Sequence, residues 1–306
     1  MTSDVFVVGS INTDFIVRVE RRPVPGETLA GSDLVTAPGG KGGNQATAIG
    51  RLGGSVALLA RVGEDERGAA LRAELRAAGV DDRALFATPG VPTGSAIVTI
   101  TPDGENTIVV SHGANARVGA ADVDAVASAL RRTRTVLAQL ELDLDVVTHA
   151  LEIAAQAGVR AILNAAPARR LPSALLALLD PLVVNEHEAA MLLGAPVTAE
   201  SGERAARALV SRGPASVVIT FGAEGAVAAK RDGEYWHVPS PPVRALDTTG
   251  AGDAFTGALA LELARGAALD AALRVGVRAG SLAVQQLGAQ ASLPTRDSYL
   301  LFSDSG

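Results

Sequence analysis

Short apolar runs alternate with longer amphipathic segments along most of the chain. The apolar runs are typical of strands in a parallel sheet, because helices cover such strands on both faces. They predict strands at residues 5–8, 56–60, 136–140, 160–164, 182–184 and 216–220. The amphipathic segments predict helices at residues 44–52, 66–78, 144–156, 173–179, 186–193 and 199–211, with two more after Gly252. The alternation predicts an α/β fold with a mainly parallel central sheet covered on both faces.

Two segments depart from this alternation. Polar and apolar residues alternate over residues 11–20, which predicts a half-exposed strand, and residues 27–35 are predicted to return as its antiparallel partner. Residues 95–101 and 106–111 predict a second antiparallel pair around the turn Pro102-Asp-Gly-Glu. We interpret both pairs, at about 11–36 and 95–112, as a small β-sheet extruded from the core as a lid. The chain, 1–306, is predicted to form one domain.

Composition narrows the functional classes. Of the 306 residues, 48% are apolar and 20% are charged, which is typical of a globular protein with an ample core. The net charge of −6, without a long Lys/Arg cluster, argues against a nucleic-acid-binding face. The absence of cysteine excludes disulfides and thiolate chemistry and fits a reducing compartment. The amino-terminal segment lacks a signal-like pattern and no apolar run approaches the ~20 residues of a membrane span, so a cytoplasmic protein is expected.

The strongest candidate for chemistry is the stretch that ends at Asp253. Gly250, Ala251 and Gly252 stand directly before it, at the predicted start of a helix. Small residues there let backbone N–H groups face an anion, and the aspartate can accept a proton from a hydroxyl. That combination suits phosphoryl transfer to an alcohol. The alternative is that Asp253 merely caps the helix, and these residues alone leave both interpretations open.

Further polar residues follow other predicted strands, where ligands bind in open α/β sheets. Asn12 and Asp14 fall on one face of a strand, where they offer partners for vicinal hydroxyls or form a solvated face. The loop Pro38-Gly-Gly-Lys-Gly-Gly-Asn-Gln45 could press its backbone against a polyhydroxyl ligand, with Lys41 and Asn44 as hydrogen-bonding groups, or be a flexible turn. Glu141 follows the strand at 136–140.

Two motifs in the second half suggest a nucleotide. Glu188, three residues after Asn185, could act through water on Mg²⁺, or both could simply cap a helix. The turn Thr220-Phe-Gly-Ala-Glu-Gly225 could hold a phosphate by its N–H groups or be a tight hairpin. The four histidines share no spacing that suits zinc, and neither a Walker A loop nor a hydrolase elbow is present.

The order of these motifs resembles the PfkB carbohydrate kinase family from about residue 5 to Pro294. The motifs are Gly39-Gly-Lys-Gly-Gly-Asn-Gln45, Asn185-x-x-Glu188 and Asp247-Thr-Thr-Gly-Ala-Gly-Asp253. The start Ser10-Ile-Asn-Thr-Asp14 and the segments Pro25-Gly-Glu-Thr28, Gln139-Leu-Glu141 and Asn164-Ala-Ala-Pro-Ala-Arg169 are similar to those of the family's D-ribose kinases. The alanine at 165 and His112 in the predicted lid depart from the family pattern, and His112 could alter the sugar pocket.

The resemblance implies a three-layer α/β/α fold and ATP-dependent phosphorylation of D-ribose at its 5-hydroxyl. It implies Asp253 as general base and Gly250, Ala251 and Gly252 as anion hole. The implied sugar site comprises Asn12, Asp14, Gly40, Lys41, Asn44 and Glu141. The implied ATP site comprises Asn185, Thr220, Gly222, Ala223, Glu224, Gly225 and Gly252, with Glu188 placing Mg²⁺ through water. A K⁺ site would comprise Asp247, Thr249, Ala283, Gln286, Gly288 and Ser292.

The resemblance also implies a homodimer through the lid strands. Alternative acceptors are deoxyribose, pseudouridine, another nucleoside or another furanose. A different class of function is a non-catalytic sugar-binding protein with the same fold, which the intact Asp253 motif disfavours.

Overall fold

The computed structural model describes residues 3–102 and 106–303. Its strands are β1 Val5–Val8, β2 Asn12–Arg18, β3 Val35–Gly39, β4 Val56–Gly63, β5 Val80–Asp81, β6 Leu85–Thr88, β7 Ser95–Ile100, β8 Asn106–Ser111, β9 Thr135–Ala138, β10 Arg160–Asn164, β11 Leu182–Asn185, β12 Ser216–Thr220, β13 Ala226–Lys230 and β14 Tyr235–Val238. Its helices are α1 Lys41–Arg51, α2 Glu66–Ala77, α3 Ala120–Leu130, α4 Leu144–Gln156, α5 Ser173–Leu176, α6 Glu186–Leu193, α7 Gly202–Val210, α8 Ala251–Ala264, α9 Leu269–Ala283 and α10 Arg296–Ser303.

The larger sheet is mainly parallel. Its order is β14-β13-β12-β11-β10-β9-β1-β4-β5, with β6 paired to β4, and only β12, β13 and β14 pair antiparallel. Both faces of this sheet are buried. In strand β1, for example, Phe6 and Val8 pack into the core on one face, and Val5 and Val7 pack into the core on the other. The first side is covered by helices that include α3, α4 and α7, and the second by α1, α2, α8 and α9. The predicted three-layer α/β/α arrangement is confirmed.

The smaller sheet, which we call the lid, has the order β3-β2-β7-β8. Strands β2 and β3 pair antiparallel, as do β7 and β8, and a parallel pairing of β2 with β7 joins the two hairpins. The predicted Asp-Gly turn at 103–105 lies outside the described residues. His112, the departure noted in the lid, precedes a short 3₁₀ helix, Gly113–Arg117, and its side chain is exposed.

The predicted return strand at 27–35 is wrong, because β3 begins only at Val35. Residues 20–34 form a mostly exposed loop, with one isolated bridge between Val19 and Gly31. Two prolines remove N–H donors from this segment. Glu27 also holds the loop as a turn, because its carboxylate accepts from Arg21 at 2.7 Å and from the N–H of Val24 at 3.0 Å.

The predicted glycine-rich loop at residues 38–45 is also wrong in part, because most of it is helical. Helix α1 begins at Lys41 rather than at Asn44, and Gly40 precedes it with φ 83°. A Cβ on Gly42 would lie 2.6 Å from the carbonyl carbon of Gly9. The glycine therefore serves the close packing of α1 on the end of β1.

Smaller differences concern element ends. Strand β9 ends at Ala138 instead of residue 140, α5 ends at Leu176 instead of 179, and the predicted helix at 199–211 divides into a 3₁₀ turn and α7. Helices α3 and α10 and strands β5 and β6 were not predicted. Within the described ranges, no helix combines the length and apolarity needed to cross a bilayer.

Candidate active site

Asp253 lies in the first turn of α8, beyond the carboxyl ends of the parallel strands. Gly250 is the residue before the helix, and no side chain caps this terminus, so the alternative that Asp253 is the cap is wrong. Its side chain is 6% exposed. Its Oδ2 accepts from Asn44 Nδ2 at 2.8 Å and its Oδ1 accepts from Gln45 Nε2 at 2.9 Å. Two consecutive residues of α1 thus hold the two oxygens of one buried carboxylate.

Two glycines before Asp253 leave the backbone free of side chains, so other groups can come close to it. Gly250 has φ 81°, and a Cβ there would lie 2.7 Å from the carbonyl oxygen of Ala289. A Cβ on Gly252 would meet nothing within 4 Å, so open space faces this residue. Because the first N–H groups of a helix have no intrahelical acceptor, this turn can bind an anion beside the carboxylate.

Asp14, on lid strand β2, faces the same region. A Cβ on Gly39 of the neighbouring β3 would lie 2.2 Å from its Oδ2, so only glycine leaves room for this carboxylate. Burial, together with the negative charges of Glu141 and Asp253, raises the pKa of Asp14 to about 7. The structure therefore brings three carboxylates from distant parts of the chain into one site.

Lys41, the first residue of α1, supplies positive charge to this group. The negative charge of Asp253 raises the pKa of Lys41, its burial opposes this, and Glu141 and Glu188 add to the increase. Glu141 is fixed against the same helix terminus, because its Oε2 accepts from the N–H of Lys41 at 2.9 Å and also from Ser10 Oγ. The ammonium remains charged among acids that attract it.

Asn12 is oriented by a residue that the sequence did not single out as functional, Asn115. Asn115 Nδ2 donates to Asn12 Oδ1 at 2.8 Å and to the carbonyl oxygen of Ile11 at 2.9 Å, while its Oδ1 accepts from the N–H of Ile11 at 3.0 Å. Because Asn12 Oδ1 is occupied, its amide nitrogen is the group left for a ligand. The signal in the sequence was the segment Gly113-Ala-Asn115, which follows β8 at the base of the lid.

Two polar atoms in this pocket have no partner among the described residues. They are Asp14 Oδ1 and Asn44 Oδ1, and both are buried acceptors. An unpaired buried acceptor is costly, and such atoms are often satisfied by a ligand. A compound with several hydroxyl donors would satisfy both.

Asn185 and Glu188 form a reciprocal cap at the start of α6. Asn185 Oδ1 accepts from the N–H of Glu188 at 2.8 Å, and Glu188 Oε2 accepts from the N–H of Asn185 at 2.9 Å. Burial raises the pKa of Glu188, the hydrogen bond from Asn185 and the charge of Lys41 lower it, and Glu186 and Asp253 raise it, with a net increase. Glu188 therefore caps α6 through one carboxylate oxygen, and its charge interacts with those of Lys41 and Asp253.

The turn after β12 is also built on glycines. Gly222, Ala223 and Glu224 form a short 3₁₀ turn. A Cβ on Gly222 would meet nothing within 4 Å, whereas one on Gly225, at φ 91°, would lie 2.1 Å from the carbonyl oxygen of Val238. Thr220 ends β12 next to Asn185, which is its register partner on β11.

The residues expected to bind a monovalent cation lie on two loops joined by Asp247, except Ala283, which is the last residue of α9. Its Oδ1 accepts from the N–H of Thr249 and its Oδ2 from the N–H of Gly288, both at 2.9 Å. Burial alone would raise the pKa of Asp247, but these hydrogen bonds produce a net decrease. On the second loop, Gln286 N donates to the carbonyl oxygen of Ala283 at 3.2 Å and Ser292 Oγ donates to that of Ala289 at 3.0 Å.

Among the residues that the structure describes, no three His, Cys, Asp or Glu side chains cluster as a metal cage. The site instead combines a buried carboxylate, an open helix terminus, a polar lid strand and glycine turns at strand ends, which together are features of a kinase that acts on a polyhydroxylated small molecule. The chain belongs to the pfkB family of carbohydrate kinases, whose family model matches residues 2–296.

Similar proteins span the same length. The ribokinase of Haemophilus influenzae is 37% identical over 303 residues, and the match covers 99% of each protein. A deoxyribokinase of Salmonella typhi is 34% identical over 298 residues, which is 97% of each protein. A solved structure of Arabidopsis thaliana ribokinase complexed with ribose and ATP aligns with a TM-score of 0.90 and 31% identity, covering 99% of both chains. The predicted ribokinase-like fold is confirmed.

Proposed function

We propose that the protein transfers the terminal phosphoryl group of ATP to the 5-hydroxyl of D-ribose, giving D-ribose 5-phosphate and ADP. The observation that carries the proposal is the carboxylate of Asp253, buried to 6% exposure and held by Asn44 and Gln45 at an open helix terminus. The similar ribokinase from Arabidopsis thaliana, solved with ribose and ATP, supports the choice of substrates.

In this proposal Asp253 is the general base. Its carboxylate accepts the proton of the attacking hydroxyl as the phosphoryl group moves in line. We assign the anion hole to the backbone of Gly250, Ala251 and Gly252, in a site from which the lid would exclude water. The N–H of Ala251 donates to the carbonyl oxygen of Thr248 at 3.2 Å, so the N–H groups of Gly250 and Gly252 are the ones that would face the developing charge on the phosphoryl oxygens. The open space at Gly252 supports this role, because a phosphoryl group can approach the helix terminus there.

The sugar would lie between the lid and α1. Asn12, Asp14, Lys41, Asn44 and Glu141 supply its hydrogen-bonding side chains, and Gly40 supplies backbone. The unpaired acceptors Asp14 Oδ1 and Asn44 Oδ1 match the donors of vicinal hydroxyls. A bare sugar satisfies them more fully than a nucleoside, whose base requires apolar or aromatic neighbours.

The nucleotide would lie along the ends of β11 and β12. Asn185, Thr220, the turn from Gly222 through Ala223 and Glu224 to Gly225, and Gly252 would contact it. Glu188 fits a role with Mg²⁺ through water, since Mg²⁺ is commonly held by one or two carboxylates, waters and substrate phosphates rather than by a protein cage. When bound, Mg²⁺ neutralises phosphate charge.

The two loops joined by Asp247 fit a potassium ion. Asp247 is held ionised by two N–H groups, and backbone carbonyls of the same loops suit a hard cation; the proposed set is Asp247, Thr249, Ala283, Gln286, Gly288 and Ser292. Since the carbonyl oxygen of Ala289 lies against Gly250, an ion in these loops would steady the anion-binding turn.

Exposed apolar side chains on both faces of the lid support a proposed homodimer. Ile97 on β7 and Ile108, Val109 and Val110 on β8 are exposed apolar side chains. Strand β8 lies at an edge of the lid sheet, where another strand or sheet can pack against it. We propose that two copies cover these faces, in a protein located in the cytoplasm.

The second candidate function is phosphorylation of a related acceptor, and the similarity to a deoxyribokinase of Salmonella typhi favours deoxyribose among these. An ADP-release assay over sugars and nucleosides, with and without K⁺, separates the candidates. Turnover of ribose above all other acceptors is expected. Turnover of a nucleoside or deoxyribose without turnover of ribose would contradict the assignment.

The role of Asp253 has its own test. Asp253→Asn keeps the size of the side chain but removes the proton acceptor and replaces one of its two accepting oxygens by an NH₂ donor. We expect kcat to fall by about 10³-fold or more, because general base catalysis and charge placement are both lost, while ribose still binds. Calorimetric titration measures that binding. Retention of most of the activity would remove Asp253 from the mechanism.

A further inference from the structure

Three buried amide side chains connect the core of the sheet to Asp253. They are Gln45 on α1, Gln139 directly after β9, and Asn164 at the end of β10. Gln45 and Gln139 have no exposed surface, and Asn164 is 8% exposed. The proposed function names Gln45 only as a contact of Asp253 and gives Gln139 and Asn164 no role, although all three stand within motifs that the sequence presents as distinctive.

Asn164 fixes one end of this chain of contacts. Its Nδ2 lies 3.4 Å from the backbone carbonyl oxygen of Val183, which can only accept. Its Oδ1 is therefore the atom left to accept from Gln45 Nε2, at 3.0 Å. A backbone group that cannot change its role thus sets the direction of the side-chain contacts.

Gln139 fixes the other end. Its Nε2 donates to Gln45 Oε1 at 2.6 Å, so both ends of the Gln45 amide are engaged. The second N–H of Gln45 is then available for Asp253 Oδ1, at 2.9 Å. A reversed amide would place Gln45 Oε1 against the acceptors of Asn164 and Asp253, which is unfavourable in a buried site.

This orientation is kept even though it leaves a buried atom unpaired. Gln139 Oε1 has no partner among the described residues. It occupies the space beside Gly9, where a Cβ would lie only 2.2 Å away. With Gln139 in this orientation, Gln45 presents a fixed N–H donor to the carboxylate of Asp253.

We propose that Gln45 is a positioning residue for the general base Asp253, and that Gln139 acts on the base only through Gln45. Asn44 holds Oδ2 of the carboxylate while Gln45 holds Oδ1. Together they fix the plane of the carboxylate relative to the hydroxyl that it must deprotonate. This inference rests on the proposed function, which assigns Asp253 as the base.

Kinetics of Gln45→Met and Gln139→Met, singly and combined, test the inference. Methionine keeps the length of the side chain but cannot donate. A lost hydrogen bond to an ionised group predicts that kcat of Gln45→Met falls about 10- to 100-fold, while KM for ribose and for ATP changes less than about threefold. Gln139→Met should lower kcat less, and the double variant should equal Gln45→Met, since Gln139 acts through it.

The matched control is Thr135→Val on β9, the strand that also precedes Gln139. Thr135 has no exposed surface and its hydroxyl has no partner among the described residues, so this change probes a buried polar site without contact to the base. Its kcat should equal that of the wild type. Thermal melting of every variant reports on folding, and if Gln45→Met does not fold, the kcat of Gln139→Met relative to Thr135→Val decides the question.

Wild-type kinetics in the same series separate this inference from the proposed function. If the wild type phosphorylates deoxyribose but not ribose, the assignment of ribose as the acceptor is refuted, and the variants would then be compared with deoxyribose as the acceptor. An active wild type with an equally active Gln45→Met would overturn the positioning role while leaving the substrate assignment intact. A loss that appeared only in KM, or losses that added in the double variant, would overturn it as well.

Discussion

Asp14 should make sugar binding depend on pH near neutrality. Burial, reinforced by Glu141 and Asp253, raises its pKa to about 7 in the free protein. Both oxygens of an ionised carboxylate accept from sugar hydroxyls, whereas protonation turns one of them into a donor, so we expect the ionised form to bind the sugar more tightly. KM for ribose should therefore rise as the pH falls through 7.

The size of the effect follows from the fraction ionised. With a pKa near 7, about nine-tenths of Asp14 is ionised at pH 8 and about one-tenth at pH 6, so KM for ribose should increase roughly tenfold between these values. Sugar binding at pH 6.5 should release protons, which calorimetry in buffers of different ionisation enthalpy detects. Asp14→Asn is the control, and it should give a high KM that changes little between pH 6 and 8.

A flat KM in the wild type over this range would refute the reasoning, and an unchanged pH dependence in Asp14→Asn would assign it to another group. Stability provides an independent check. Because the folded-state pKa is raised above the unfolded value of 3.8, the native state holds more protons, so stability from this group is lost as the pH rises from about 4 through 7. In the absence of sugar, Asp14→Asn should stabilise the protein at pH 8 by roughly 1–3 kcal/mol, allowing for partial exposure.

Three further perturbations test other parts of the site. Asn115→Ala should raise KM for ribose about 5- to 50-fold with a smaller change in kcat, because Asn12 loses its orienting partner; steady-state kinetics checks this and an unchanged KM would contradict it. Asp247→Ala should abolish the stimulation by K⁺ in the ADP-release assay, and full stimulation would remove these loops from the proposed cation site. Ile108→Lys combined with Val109→Asp should convert a dimer into monomers in sedimentation experiments, whereas an unchanged mass would place any dimer contact elsewhere.

Local patterns were sufficient for most of the fold. Buried strands such as β1 and β12 are continuous apolar runs, and their ends follow from the polar or glycine residues after them. Residues 27–35 were predicted as a strand, but residues 27–34 belong to the exposed loop, where the hydrogen bonds of the Glu27 carboxylate hold the chain as a turn. Gly42 was likewise predicted to lie in a loop but lies in helix α1. A glycine is needed there because the helix packs closely against Gly9, and the sequence does not show that contact.

The limits of sequence reasoning at the site follow from long separations along the chain. Asp253 was identified from its neighbours, yet the partners that hold it are 208 and 209 positions away. Gln139 contacts Gln45 across 94 positions, and Asn115 reaches Asn12 across 103. No local pattern contains these contacts, because the topology of the sheet creates them by placing the carboxyl ends of its strands at one edge.

The three carboxylates of the proposed site, Asp14, Glu141 and Asp253, give a reason why water should be a poor acceptor of the phosphoryl group there. Glu141 and Asp253 belong to the core, whereas Asp14 lies on lid strand β2, so the repulsion that raises the pKa of Asp14 also acts between lid and core. In the proposed site, a sugar would reduce that repulsion by donating several hydroxyls to these carboxylates and to Asn44 Oδ1 at once. A single water molecule has only two donors and cannot satisfy the same set. In the proposed mechanism the acceptor itself would stabilise the arrangement of lid and base that the reaction requires, so hydrolysis of ATP would be slow when no sugar is bound.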